Sequence, residues 1–295
     1  MISSGAMSFV IEREDITYGQ LLAGASGTLR DSGVPDYQFD AFALFEYVFD
    51  ISKAQYLMKR DEMVANREQI DQYVEAVNRR SVHEPLQYIT GVQNFYGLDF
   101  YVDSRVLIPR LDTEIVVESI LKREKKADIS VLDMCAGSGC IGITLANKNP
   151  GWKVTGSDIS EDALSVCAIN KGNLGTSNVS FVHSNLFEQI DGKYDVIVSN
   201  PPYIESQVVK GLMSEVKDYE PGLALDGGED GLDFYRAIVS DARDHLNSGG
   251  RLYFEIGYNQ GQALRELFEE YGYTDILIRQ DLAGLDRMAC ASLSI

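Results

Sequence analysis

The most constraining feature of this 295-residue sequence is an alternation of strand-like and helix-like segments that begins at Ile129. Short apolar runs alternate with longer segments of helical periodicity, and strands joined through helices run parallel in one sheet. The last two runs, TDILIRQ and RMACASL, have no helix between them and predict an antiparallel hairpin at one edge. We therefore predict an α/β fold with a mostly parallel sheet. Its parallel strands are ISVLDM, KVTGSD, VSFVHS, YDVIVS and RLYFEIG.

Two regions of different character precede this alternation. From residue 16 to about 80, apolar residues recur at helical spacing and predict a small bundle of amphipathic helices, with Asp36 and Asp40 as possible caps. Residues 91–106 are rich in aromatic and β-branched residues around a turn and predict a β-hairpin. The predicted division is an N-terminal helical domain at 1–88, a β-hairpin linker at 89–106 and a sheet domain at 107–295.

Composition and charge exclude several classes of protein. The 26 Lys and Arg residues against 45 Asp and Glu residues give a net charge of −19, which opposes binding to phosphate backbones. No window approaches the roughly 18 apolar residues that a membrane helix needs. The opening MISSGAMSFVIERED lacks the pattern of a secretory signal, and four scattered cysteines with three histidines indicate no metal site. We expect a cytoplasmic monomer that starts at Met1 or Met7 and binds neither nucleic acid nor membrane.

A glycine-rich turn follows the first strand of the alternation. Residues 131–139 run from strand into the turn and contain Asp133 before Gly137 and Gly139. In open α/β sheets, ligands bind at the carboxyl ends of strands, where glycine lets a cofactor approach the backbone. The next strand ends in Asp158, nineteen positions past Gly139, where a carboxylate accepts hydrogen bonds from ribose hydroxyls. These two signals fit a nicotinamide cofactor and S-adenosylmethionine alike.

The residues Asn200-Pro201-Pro202-Tyr203 end the fourth strand and decide between these cofactors. Proline cannot pair inside a sheet, and Pro201 restricts Asn200 to an extended conformation. The Asn200 side-chain oxygen and the Pro201 carbonyl form two acceptors for one planar NH₂ group, with the flat face of Tyr203 beside them. An isolated Pro-Pro would indicate a strand-ending turn. At the same edge as two cofactor signals, it indicates a clamp for one planar NH₂ group.

This motif after a D-x-x-x-G-x-G turn resembles methyltransferases that act on planar NH₂ groups of DNA bases or glutamine side chains. Further stretches resemble the PrmC/HemK family of protein-(glutamine-N5) methyltransferases, from about residue 80 to the end. The resemblance implies a Rossmann-like S-adenosylmethionine-dependent methyltransferase sheet, with S-adenosylhomocysteine as product. It also implies, as substrate, the glutamine in the Gly-Gly-Gln motif of bacterial peptide chain release factors, docked with help from the N-terminal helices. The stretches are His83–Gly91, Phe95–Phe100, Val106–Glu114, Glu220–Pro221 and Ala224–Gly228.

The resemblance assigns site residues position by position. Phe95 would form a wall of the glutamine pocket, and Arg110 would contact the cofactor carboxylate or anchor the hairpin; a core aromatic and a surface ion pair are the simpler alternatives. The implied cofactor-binding residues are Asp133, Cys135, Ala136, Gly137, Ser138, Gly139, Asp158, Ile159, Asn185, Leu186 and Asn200. The implied catalytic residues are Asn200, Pro201 and Tyr203, and the implied substrate-binding residues are Asn200, Pro201, Pro202, Tyr203, Phe95 and Arg110.

Alternative functions stay open at this point. Methylation of a glutamine in a ribosomal protein is the nearest, and Arg110-x-Asp112-Thr113-Glu114 favours release factors over it. DNA adenine N6-methylation is disfavoured because residues 131–295 hold 12 Lys and Arg against 24 Asp and Glu. A catalytically silent binding module is disfavoured because both the cofactor motif and the Asn-Pro-Pro-Tyr motif are intact. The segment 205–233, with eight carboxylates against two lysines, predicts a mobile, solvated loop near the pocket or a docking surface for a basic partner, and the solvated loop is the default.

Overall fold

The computed structural model describes residues 8–11 and 15–293. Met1, Met7 and much of the opening segment, on which the prediction about a secretory signal rests, lie outside the described residues. The chain forms two compact units. One contains the residues up to Gly91 together with Ser214–Tyr219, and the other contains Val92–Met213 and the residues from Glu220 onward.

The first unit is a helical bundle, as predicted. Its core is aromatic: the Phe45 ring packs edge-on against Tyr18, at 5.7 Å between centroids, and against Tyr73, at 5.9 Å. The Tyr73 hydroxyl donates to the Ala41 carbonyl at 2.9 Å, so the buried ring keeps its polar end paired. The helices are α1 (Tyr18–Asp31), α2 (Tyr37–Phe49), α3 (Lys53–Lys59), α4 (Arg67–Ser81) and α5 (Leu86–Thr90).

The prediction of Asp40 as a helix cap is wrong. Asp36 stands at the N-cap of α2 but its side chain makes no cap hydrogen bond, and Asp40 lies inside the helix. Asp40 is buried and pairs with Arg80 of α4, from Nε to Oδ2 at 2.7 Å. Arg80 also donates to Glu215 at 2.6 Å, so the segment Ser214–Tyr219 belongs to this unit through an ion pair.

The predicted hairpin is present and lies in the second unit. Strands β1 (Val92–Phe95) and β2 (Leu98–Tyr101) pair antiparallel. Tyr96 and Gly97 both have positive φ, at 52° and 77°, which is the backbone of a type I′ turn. The hairpin belongs to the same compact unit as the sheet. The predicted domain boundaries at residues 88 and 106 stay predictions.

The second unit is built on a seven-stranded sheet with the order β5-β4-β3-β6-β7-β9-β8. The pairs among β3 to β7 are parallel, and β9 pairs antiparallel with β7 and β8. The predicted mostly parallel sheet with an antiparallel C-terminal hairpin is thus confirmed. The remaining elements are α6 (Leu111–Arg123), β3 (Ser130–Met134), α7 (Cys140–Lys148), β4 (Lys153–Asp158), α8 (Glu161–Asn173), β5 (Val179–His183), β6 (Tyr194–Ser199), α9 (Ser206–Val209), α10 (Ser214–Lys217, part of the helical unit), a 3₁₀ turn (Gly222–Ala224), α11 (Asp233–His245), β7 (Leu246–Glu255), α12 (Gly261–Glu270), β8 (Thr274–Gln280) and β9 (Asp286–Ser292).

The register of the sheet brings four strand ends together. Met134 of β3 is paired with Ser157 of β4 and with Ser199 of β6, and Ser199 is paired with Phe254 of β7. The residues that follow these positions therefore share the carboxyl edge of the sheet, where open α/β sheets bind ligands. Throughout the described ranges, no helix has the length and apolar character required to cross a bilayer.

Candidate active site

A cavity opens at this carboxyl edge and encloses about 1150 Å³ of empty space, open solvent at its mouth included. It lies wholly within the sheet unit. Most of the residues predicted to bind cofactor or substrate line it, which brings the glycine-rich turn and the Asn-Pro-Pro-Tyr segment to one site. The predicted residues on the wall are Arg110, Cys135, Ala136, Gly137, Ser138, Asp158, Ile159, Asn185, Leu186, Asn200 and Pro202.

The glycine-rich turn reverses the chain between β3 and α7 through three residues of positive φ. These are Cys135 at 59°, Gly137 at 55° and Gly139 at 78°. The Gly137 N–H donates to Asp158 Oδ2 at 2.9 Å, so the carboxylate at the end of β4 holds the turn in place. A Cβ built on Gly137 would contact nothing within 4 Å, which leaves room for a ligand against the backbone.

Asp133 lies beneath the turn and off the cavity wall. It is buried, and its Oδ2 accepts the Gly142 N–H at 2.7 Å near the start of α7. Burial raises the pKa of Asp133 to about 7, and the nearby Asp158 carboxylate acts in the same direction. A Cβ on Gly142 would come within 2.8 Å of the Asp133 carboxylate, so glycine is needed there. Asp133 thus supports the turn, and its predicted contact with cofactor stays a prediction.

The Asn-Pro-Pro-Tyr segment is split between the cavity wall and the core. Asn200 and Pro202 line the cavity, whereas Pro201 lies off its wall and Tyr203 packs against the core cluster that contains Tyr235 of α11 and Phe254 of β7. The Tyr203 hydroxyl donates to Glu255 Oε1 at 3.1 Å. Its backbone carbonyl accepts the Gln260 side-chain amide at 3.1 Å. These two contacts fix both the side chain and the backbone of Tyr203, and with them the segment.

Arg110 and Phe95 have different surroundings. The Arg110 guanidinium lines the cavity and donates to the buried Glu220 at 2.6 Å. Phe95 is only 1% exposed and packs edge-on against Phe100 in the main core, at 6.0 Å between centroids. The structure therefore places Phe95 among core residues, and its proposed position in a pocket wall stays a prediction.

Most residues of the segment 205–233 are exposed or partly exposed, as expected for a solvated loop, but two of its carboxylates are paired with arginines. Glu215 pairs with Arg80 and Glu220 is buried, while Pro221, Leu223 and Ala224 line the cavity. A carboxylate that pairs with an arginine can be buried, so the charge density of the segment did not reveal these two ion pairs.

Sequence reasoning missed two residues next to the motif. Thr113 near the start of α6 lines the cavity, and Glu255 at the end of β7 lies beside it. The Thr113 hydroxyl donates to Glu255 Oε2, and the Asn200 amide lies 3.5 Å from Thr113 Oγ1. One sequence signal could have identified Glu255. It is a carboxylate at the end of an apolar strand, and strand ends form the ligand-binding edge of such a sheet.

Comparison with known proteins gives the family. A model of the PrmC N-terminal domain matches residues 20–91, and one of the methyltransferase small domain matches residues 104–216. Release factor glutamine methyltransferase from Geobacter sulfurreducens is 40% identical over 273 residues, covering 92% of this chain and 95% of that one. The same-named protein from Clostridium acetobutylicum is 38% identical over 275 residues, covering 92% and 96%.

The fold agrees with these matches. A methyltransferase structure from Pyrococcus furiosus superposes with a TM-score of 0.52 at 19% identity, over 68% of this chain and 91% of that one. At this identity the likeness shows the fold alone, a Rossmann-like methyltransferase sheet. Because both relatives match nearly end to end, the chain belongs to the release factor glutamine methyltransferase family.

Proposed function

We propose that this protein transfers a methyl group from S-adenosylmethionine to the side-chain amide nitrogen of the glutamine in the Gly-Gly-Gln motif of peptide chain release factors. One observation supports this most directly: the glycine-rich turn and Asn200 line the same cavity at the carboxyl edge of the sheet. The names of the relatives supply the substrate class. The monomeric state, the cytoplasmic location and the absence of direct nucleic-acid binding stay predictions.

The residues on the cavity wall fit S-adenosylmethionine. Ser157 lines the cavity, and its buried hydroxyl has no hydrogen-bond partner among the described residues, which leaves an unsatisfied polar atom at this wall. Asp158 lies at the position of a ribose-binding carboxylate, and Leu186 and Leu223 offer apolar surface for a purine. When bound, S-adenosylmethionine supplies an electrophilic methyl group, and S-adenosylhomocysteine is its product.

The chain's own contribution to methylation is orientation. An amide nitrogen is a poor nucleophile, and the titratable side chains on the wall are two arginines, two cysteines and Asp158. Burial raises the pKa of Cys135 to about 12, so this thiol stays protonated and does not act as a base. The Asn200 side-chain oxygen and the Pro201 carbonyl would accept the two amide N–H groups, aim the nitrogen and stabilise the positive charge that develops on it.

The test is transfer to purified, unmethylated release factor in the presence of S-adenosylmethionine, with the modified residue mapped by peptide mass spectrometry. We expect one methyl group on the Gly-Gly-Gln glutamine. Asn200→Ala should lower kcat by about 10²–10³, the effect of losing one preorganised hydrogen-bonding partner. The variant should unfold at the same temperature as the wild type, because Asn200 is partly exposed at the cavity wall.

Other outcomes of this assay have distinct meanings. Transfer to a ribosomal protein or to DNA adenine, and none to release factor, would replace the substrate. Binding of S-adenosylmethionine without transfer to any of these substrates would favour a silent binding module. An Asn200→Ala variant that keeps more than about a tenth of the wild-type kcat would contradict the clamp.

A further inference from the structure

Glu255 is a buried carboxyl beside the proposed active site that the reaction as described does not use. It is 3% exposed at the end of β7, and burial raises its pKa. Two hydroxyls donate to it: Thr113 to Oε2 and Tyr203 to Oε1. Of the charged groups near it, Asp112 opposes ionisation and Arg287 favours it. Both carboxyl oxygens of Glu255 accept in these two contacts, so the protons of both hydroxyls are directed toward it.

The direction of the Thr113 proton decides which edge of the Asn200 amide faces helix α6. A hydroxyl has one proton, and that of Thr113 is directed to Glu255. Thr113 Oγ1 can therefore only accept from Asn200, so the edge that faces it is the NH₂ group. The Nδ2-to-Oγ1 distance of 3.5 Å is at the long end for a hydrogen bond, which leaves room to tighten when substrate binds.

An asparagine side chain has two edges of nearly equal shape, and only one of them can accept a hydrogen bond. With Nδ2 turned to Thr113, Oδ1 is the edge left for a ligand. A flipped Asn200 would instead present NH₂ to the NH₂ of a substrate amide, and two donors repel. The orientation of this one side chain thus decides whether the clamp can work.

We propose that Thr113 and Glu255 are positioning residues, which act in series to hold Asn200 with its side-chain oxygen toward the substrate amide. The inference rests on the proposed function for its effect on catalysis, but the orientation of Asn200 can be measured without any substrate. Thr113 acts on Asn200 directly, and Glu255 acts through Thr113. The Tyr203 hydroxyl donates to the other carboxyl oxygen and so restricts rotation of the Glu255 side chain.

The first part of the test compares kinetics of variants on release factor. Thr113→Val removes the acceptor for Nδ2 at nearly constant volume, and we expect kcat to fall about 10- to 100-fold, the range for partners one contact away from a reacting centre. The KM for S-adenosylmethionine should change less than about twofold. Thr113→Ser keeps the hydroxyl and should retain activity within about threefold of the wild type. Glu255→Gln should lower kcat as Thr113→Val does, because its NH₂ group can reverse the direction of the hydrogen bonds.

The matched control is Ser119→Ala, which removes another buried hydroxyl from the same helix. Ser119 Oγ donates to the Ile115 carbonyl at 2.7 Å, accepts from Arg279 Nη1 at 2.6 Å and lies off the cavity wall. We expect its kcat to equal that of the wild type. A fall in kcat with Ser119→Ala that matches Thr113→Val would show a general effect on the helix and would overturn the positioning role.

The second part measures orientation by NMR, without substrate. The side-chain amide signal of Asn200, assigned by its loss in Asn200→Ala, should shift in Thr113→Val and return in Thr113→Ser. An unshifted signal together with an unchanged kcat in Thr113→Val would overturn the inference. If the wild type methylates no release factor, the proposed function fails, and the NMR comparison still decides whether Thr113 orients Asn200.

Discussion

Each of the two units buries a carboxyl group, and the two are stabilised in different ways. Asp40 of the helical unit is 5% exposed, and Glu255 of the sheet unit is 3% exposed. Burial raises the pKa of both. Asp40 accepts from the guanidinium of Arg80, which also binds Glu215. Glu255 accepts from two neutral hydroxyls and forms no ion pair among the residues that the structure describes.

We infer from this difference that Asp40 is a structural group and Glu255 a positioning group. A guanidinium neutralises a buried carboxylate and ties three segments of the helical unit together, and removing it leaves an uncompensated charge. The two hydroxyls at Glu255 carry no charge, and each has a single proton that points to a carboxyl oxygen. We therefore expect the Asp40 contact to govern stability and the Glu255 contact to govern the orientation of the neighbouring site.

The largest expected effect on stability is that of Arg80→Met. This change leaves Asp40 buried without a partner, and we expect the free energy of unfolding to fall by about 3–5 kcal/mol. Urea denaturation measures it. The matched control is Arg79→Met on the same helix, since Arg79 is 41% exposed and pairs with Glu84. That pair is only partly buried, with Glu84 at 19% exposed, and should contribute about 1 kcal/mol. Equal losses in the two variants would contradict the structural role of Arg80.

The second prediction concerns Glu255→Gln, for which stability and activity should separate. The side chain keeps its shape and can still accept one hydrogen bond, so the free energy of unfolding should fall by about 1–3 kcal/mol. The kcat for methylation should fall about 10- to 100-fold, as for Thr113→Val. Denaturation and kcat measured on the same preparation check this. A variant that loses stability like Arg80→Met and keeps its kcat would remove the distinction between the two carboxyls.

Asp133 is another buried carboxyl of the sheet unit. Among the described residues, only the Gly142 N–H donates a hydrogen bond to it. Its pKa is raised to about 7, from about 3.9 in an unfolded chain. The folded state therefore binds this proton more tightly, and stability should fall as pH rises between these two values. Asp133→Asn should remove this part of the slope, which cannot exceed about 1.4 kcal/mol per pH unit. Unfolding free energies at pH 5, 6 and 7 test it, and parallel curves for both proteins would contradict it.

The smallest expected effect on stability is that of a substitution in the hairpin turn, where no buried charge is involved. Gly97 has a φ of 77°, and a Cβ there would contact nothing within 4 Å. Gly97→Ala therefore adds backbone strain alone, and we expect a loss of about 1 kcal/mol. Thermal unfolding measures this loss. A loss as large as that of Arg80→Met would show that the turn contributes more than its backbone conformation.

Local patterns predicted much of the fold and part of the site. Periodicity identified the strands of the sheet, and β4, β6 and β8 have the predicted bounds. The glycine-rich turn and the Asn-Pro-Pro-Tyr segment were visible because proline and glycine restrict the backbone wherever they occur. Asp40 was misread as a cap because its partner, Arg80, is forty residues away.

The sequence by itself determined the strand and helix pattern, the glycine-rich turn after β3 and the Asn-Pro-Pro-Tyr motif after β6. Each of these depends on residues close together in the chain, through periodicity or backbone restriction. Tertiary structure alone decided that Glu255 meets Thr113, which lies 142 residues earlier, and that Phe95 is a core residue. The register between β6 and β7 places Glu255 beside Asn200, and such a register follows from the packing of the whole sheet rather than from any local segment.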